Sequence, residues 1–182
     1  MSASKPPGPS TDRDEWLLAA DRRLLAQCTV DAYRASGPGG QKRNKTSSAI
    51  RLRHHPSDLA VIAEESRSQH ENKARALRRL RMAIALSRRG PIPADWRPPD
   101  AWAASRSADG RIAISRRNRD YPVVVAIVLD VLAHGRGRLR DSAALLGIST
   151  GQLSRFLVND GKVLSAANRI RSDQGLATLR AD

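Results

Sequence analysis

The chain has 182 residues and sets 32 lysines and arginines against 18 carboxylates, a net charge of +14 with a pI near 11.4. A surplus of that size points to a polyanionic partner, either nucleic acid or an anionic membrane surface. Cys28 stands alone, which excludes an intrachain disulfide and suits a reducing compartment. No apolar stretch follows Met1, and the longest apolar run, Val123 to Leu129, is far too short to cross a bilayer. A cytoplasmic protein without a membrane role is therefore expected. The four histidines, His54, His55, His70 and His134, lack metal-ligand spacing, so neither a metal site nor a cofactor is expected. Aromatic residues make up 3% of the chain, leaving Leu, Ile, Val and Ala to build the core.

Residues 1–10 combine three prolines and a glycine with small polar residues, a composition expected to stay disordered. Thr11 is a candidate N-cap ahead of Asp12, Asp14 and Glu15, and the spacing of Trp16, Leu17, Ala20, Leu24 and Leu25 predicts one amphipathic helix ending near Gln27. Cys28, Val30 and Ala32 alternate with polar partners as a half-buried strand. There follows Ser36-Gly37-Pro38-Gly39-Gly40-Gln41-Lys42-Arg43-Asn44-Lys45. Its three glycines permit sharp bends and close backbone approach to a ligand, Pro38 stiffens the entry, and Gln41 leads a cluster of cations suited to phosphates. An uncharged amide at such a tip suits the positioning of a water or an ester better than acid–base work.

After a helical turn expected over Thr46 to Ile50, a second strand alternates Ile50, Leu52 and His54 with Arg51, Arg53 and His55, giving a basic outer face. Pro56-Ser57-Asp58 is turn chemistry, and Leu59 to Ala63 is a third strand paired back on the second. Ser68 is placed to cap a helix through Ser87, with Ala74, Leu77, Leu80 and Ile84 as its apolar stripe and Arg75, Arg78, Arg79 and Arg81 on or beside the opposite face. The prolines between Arg89 and Asp100 mark a boundary, and residues 90–121 read as a linker that Trp96 and Trp102 could dock. Pro122 opens a buried helix from Val123 to Ala133. From Ser142 to Leu157, Ala143, Gly147, Leu153 and Phe156 sit where a helix-turn-helix needs a small residue, a turn glycine and two core contacts, with Gln152, Ser154 and Arg155 outward. A purely structural helical cluster gives the same pattern. A last helix is expected from Gly161 to Ser172, and a partly ordered tail from Asp173.

The segment Asp31 to Gln41, continued by Asn44-Lys45-Thr46, together with Arg67-Ser68-Gln69-His70-Glu71-Asn72-Lys73-Ala74, resembles the hydrolytic domain of the class I peptide-chain release factors and their codon-independent ribosome-rescue relatives. Two separated motifs in the right order are far more specific than a lone Gly-Gly-Gln. The resemblance spans about Trp16 to Ser87 and implies an α+β chain: a small mixed αβ Gly-Gly-Gln domain over 11–89, the linker over 90–121, and an all-α, helix-turn-helix-like bundle over 122–182.

It also implies hydrolysis of the peptidyl-tRNA ester in the ribosomal peptidyl-transferase centre, with Gly39, Gly40 and Gln41 catalytic. Arg34, Ser36, Lys42, Arg43, Asn44, Lys45, Arg67, Gln69, Asn72 and Lys73 would contact RNA. The implied partners of a monomeric chain are large-subunit rRNA, peptidyl-tRNA and a methyltransferase acting on Gln41. Lys42 and Arg43 stand where the better-known factors usually carry His and Val, which bears on the rRNA contacts. The chain has no room for codon-reading domains, so the rescue type fits better. The competing reading is a non-catalytic RNA- or DNA-binding module centred on the C-terminal helix-turn-helix.

Overall fold

The computed structural model describes residues 12–33 and 48–180; the expected disordered start, the Thr11 cap and the whole Gly-Gly-Gln segment lie outside them. The chain divides into two compact units, Met1–Ile84 and Ala85–Asp182.

In the first unit, α1 (Asp12–Leu18) carries Asp12, Asp14 and Glu15 in its first turn, where carboxylates oppose the positive end of the helix dipole. The single helix expected up to Gln27 is instead two. Ala20 is extended (φ −58°, ψ 150°) and begins α2 (Asp21–Leu25). The break brings Ala19 and Asp21 to the Arg81 guanidinium, which donates to the Ala19 carbonyl and to Asp21 Oδ1, each at 2.8 Å.

Three antiparallel strands follow in the order β1 (Cys28–Tyr33), β2 (Ala49–His54), β3 (Leu59–Ala63). Cys28 pairs with His54, Val30 with Leu52 and Tyr33 with Ala49, and Leu52 with Val61 across the second pair. Ala49 and Ile50 thus belong to a strand, not to the expected helical turn. The turn into β3 needs a left-handed residue and takes it at Asp58 (φ 55°), a residue type that tolerates that region. Ile50, Leu52 and His54 are buried, as the alternation requires. Val30, on the edge strand, is 40% exposed, so the inner face of β1 is less covered than expected. The outer face of β2 is not an uncompensated basic surface. Arg51 donates twice to Asp31, at 2.9 and 3.1 Å, and Arg53 twice to Asp58, at 2.8 and 3.2 Å.

α3 (Gln69–Ser87) buries Asn72, Ala76, Leu77, Leu80, Arg81, Ile84 and Ala85. Ala74 is exposed, so the apolar stripe lies one step round the helix from the one expected. Arg81 is in the core, not on the outer face.

In the second unit, α5 (Tyr121–His134) is the central helix, with Pro122 in its first turn and nearly every residue buried. Burial on all sides is what its unbroken apolar run demands. Around it lie α6 (Leu139–Leu146), α7 (Thr150–Val158) and α8 (Gly161–Ser172). The stretch read as linker carries α4 (Asp100–Ala104) and a bridge between Arg106 and Ile112. Trp102 is 1% exposed, and its indole N–H donates to the Leu146 carbonyl at 3.0 Å. The tail is also held more closely than expected: Asn168 exchanges two hydrogen bonds with the backbone of Leu179.

Candidate functional site

The register that sets Tyr33 opposite Ala49 brings the two ends of the Gly-Gly-Gln segment to one end of the sheet. A two-strand support is stiff because each backbone pair fixes the next. Gly39, Gly40 and Gln41, with Arg34, Ser36, Lys42, Arg43, Asn44 and Lys45, fall outside the described residues. The structure bears on their support.

That support is built around Asn72. The side chain is fully buried at the start of α3. Its Nδ2 donates to the Ser48 carbonyl at 2.6 Å and to the Ser66 carbonyl at 2.8 Å, and its Oδ1 accepts from the Ser66 N–H at 3.0 Å. One amide therefore ties the residue that enters β2 to the turn that leads into α3. Sequence reading made Asn72 an RNA contact; burial and complete internal use of its amide hydrogens correct that. Asn72 precedes Ala76 by four residues, on the helix's buried face. A polar group in that position must find partners inside. Removing it leaves two carbonyls and an N–H unpaired, so Asn72→Ala is expected to cost about 1–3 kcal/mol of stability. Denaturant titration of the two proteins checks this; an unchanged midpoint and slope would show that the ties are dispensable.

The other residues of the second motif differ from Asn72. Arg67 and Gln69 are exposed and Lys73 is half-buried. Ser68 caps α3 through its Oγ, which accepts from the Glu71 N–H at 3.3 Å. The arginine run that follows is largely engaged within the fold. Arg75 lies 3.7 Å from Glu71 and 3.9 Å from Glu65, while Arg79 bonds Glu65 and the Ile62 carbonyl. Arg78 is exposed.

Two further groups define the chemistry of this unit. Burial pushes the Cys28 thiol above its ordinary pKa, and the thiol donates to the Leu24 carbonyl at 3.2 Å. That keeps it protonated and a poor nucleophile. His54 is buried between Ser57 Oγ, 2.7 Å from Nδ1, and Gln27 Oε1, 3.1 Å from Nε2, with the Trp16 ring edge-on at 4.9 Å. Desolvation, and secondarily His55, lower its pKa. A base held neutral by the fold stabilises it above its unfolded pKa of about 6.5, and that contribution is lost as pH falls through the lower folded value. Stability should therefore decline below about pH 6.5 by more in the wild type than in His54→Gln, as thermal melts at stepped pH would reveal. Parallel declines would remove His54 from the account. Among the described residues no group of His, Cys, Asp and Glu could hold a metal ion, and no helix is long and apolar enough to cross a membrane.

The description "RF-1 domain" matches residues 25–121, more than half of the chain. The chain belongs to the RF-1 domain family. The match takes in the three strands, α3 and the α4 segment, reaching beyond Ser87, and ends at Tyr121, the first residue of α5. Similar proteins include peptide chain release factor 1 of Solidesulfovibrio magneticus, 46% identical over half of this chain, and peptide chain release factor 1 of Granulibacter bethesdensis, 40% identical over a similar share. Peptide chain release factor 2 of Paramagnetospirillum magneticum is 54% identical over 32% of the chain. The chain spans 24%, 23% and 16% of these relatives' own lengths. The RF-1 domain is thus shared while the rest of those proteins is not matched. The class I release-factor resemblance carried by the two motifs is thereby shown.

Proposed function

We propose that this RF-1 domain protein releases nascent peptides by hydrolysing peptidyl-tRNA on the ribosome without reading a stop codon. The observation that carries the reading is the intact Gly39-Gly40-Gln41 sequence between two strands whose ends are paired and tied to α3 by Asn72. Ester hydrolysis needs a water aimed at the carbonyl and a donor for the departing oxygen; positioning and fixed dipoles can supply much of the rate. In this account the Gln41 backbone N–H serves the leaving ribose oxygen, and its side chain shapes the space for water. Gly39 and Gly40 permit the backbone conformation. Arg34, Ser36, Lys42, Arg43, Asn44, Lys45, Arg67, Gln69 and Lys73 hold rRNA and tRNA, and a methyltransferase is a further partner through Gln41.

The codon-independent part of the proposal rests on the bundle of α5 to α8, which follows the matched RF-1 domain and which we assign to recruitment. A density map of the protein on stalled ribosomes tests the placement. Gln41 within reach of the 3′ end of the peptidyl-tRNA is the expected result; a protein bound only away from the transferase centre would overturn it.

A further inference from the structure

α7 closes its buried side against the bundle and leaves the other side bare. Leu153, Phe156 and Leu157 point inward with Ala143 and Leu146 of α6. Between the helices Gly147 adopts the left-handed conformation (φ 66°), and the Ile148 N–H returns to the Ala143 carbonyl at 3.0 Å. Ser149 then starts α7 with a reciprocal cap: its Oγ accepts from the Gln152 N–H at 3.2 Å, and Gln152 Oε1 accepts from the Ser149 N–H at 3.1 Å. Outward lie Thr150, Gly151 and Arg155, all exposed, and the half-buried Ser154.

Three features of this face point to a ligand. Gly151 has ordinary helical φ, and a Cβ there would meet nothing within 4 Å. The glycine is the second residue of α7, and no packing in the fold requires it, so it leaves the start of the helix open to close approach from outside. Arginines mark the length of the helix. Arg106 reaches the Gly147 carbonyl at 3.0 Å beside the turn, Arg155 sits mid-helix, and Arg116 bonds Asn159 at the far end. Thr150–Val158 contains no carboxylate, and residues 85–182 hold sixteen arginines and lysines against nine aspartates and glutamates. The nearby Asp160 is already engaged, capping α8 through the Lys162 N–H and accepting from Tyr121.

We propose that α6 and α7 form a helix-turn-helix whose second helix lies on an A-form RNA duplex. Charge alone fits any duplex; the side chains choose. Reading a DNA major groove relies on long bidentate groups, above all Arg, Asn and Gln, yet the one amide on α7, Gln152, is committed to the cap. What remains is two hydroxyls, a glycine and Arg155. Short hydroxyls both donate and accept, matching the rows of 2′-hydroxyls in the wide, shallow minor groove of A-form RNA, with Arg155 left for a phosphate. The surface is thus a shape reader for RNA stems with little preference for sequence. It stands apart from the hydrolytic reading, because it concerns binding alone.

The test uses the full chain with fluorescently labelled duplexes of about 20 base pairs, long enough for a shape reader, one RNA and one DNA of the same sequence. Anisotropy should show RNA bound at least about fivefold more tightly than DNA. Gly151→Leu, which the open space around the glycine accommodates, should weaken RNA binding about tenfold or more while leaving the melting temperature unchanged or higher. Arg155→Ala should weaken it several-fold and reduce the salt slope by about one phosphate. DNA bound as tightly or more tightly would overturn the RNA assignment. RNA binding that both variants leave intact would place the contact elsewhere on the chain and overturn the site, and no binding to either duplex would overturn the proposal.

Discussion

Gln41→Ala is expected to lower single-turnover release of peptide from ribosome-bound peptidyl-tRNA by about a hundred-fold or more, while leaving ribosome binding within a few-fold. The magnitude is that of removing one preorganised polar group from a developing oxyanion or leaving group, about 2.7 kcal/mol of barrier. The split between the two readouts separates the roles assigned to the segment. Gln41 carries no charge and can add little to affinity for a polyanion, whereas Lys42, Arg43 and Lys45 can. Release measured at saturating protein and binding measured by co-sedimentation decide it. Unchanged release would remove Gln41 from the chemistry and favour the non-catalytic module.

The second large effect is that of salt. Each phosphate neutralised by lysine or arginine releases condensed counterions, so about six contacts cost roughly a thousand-fold in affinity between about 50 and 200 mM monovalent salt. The chain's +14 supplies cations beyond those that the fold occupies. Arg51, Arg53, Arg75, Arg79 and Arg81 are ion-paired, so they should contribute little to the slope. Replacing Lys42, Arg43 and Lys45 together by alanine should flatten it by about two to three phosphates. Ribosome affinity that is insensitive to salt would mean that the charge is not spent on RNA.

The contrast between these arginines shows where sequence was readable and where it was not. Period-two alternation located the first two strands, and the Pro56-Ser57-Asp58 turn the third, paired back on the second; one buried face at Ile50, Leu52 and His54 fixes the register there. The reading failed where the decisive partner is distant. Nothing local to Arg81 tells that Ala19 and Asp21, some sixty residues earlier, will take its guanidinium into the core. The break at Ala20 belongs to the same contact, which explains why helical spacing through Leu25 ran over it. Asp130 makes the same point in the second unit: a carboxylate amid an apolar helix is buried beside Arg89, 3.4 Å away, and accepts from the Gly90 N–H at 2.9 Å. The prolines around Gly90 mark a helix end, but only those ties and the Trp102 anchor make a packed segment of a stretch that composition reads as linker.

In the candidate site, the motifs gave the segment and its family. Burial was needed to move Asn72 from the RNA-facing set to the scaffold.

Purified ribosomes carrying labelled peptidyl-tRNA are prepared with a sense codon in the decoding site, with a stop codon there, and with mRNA ending before it, and release is timed after adding the wild-type protein. The account predicts release from the complex with empty decoding site, at a rate that placing a stop codon there does not raise. Release confined to the stop-codon complex, or none from any of the three, would contradict it.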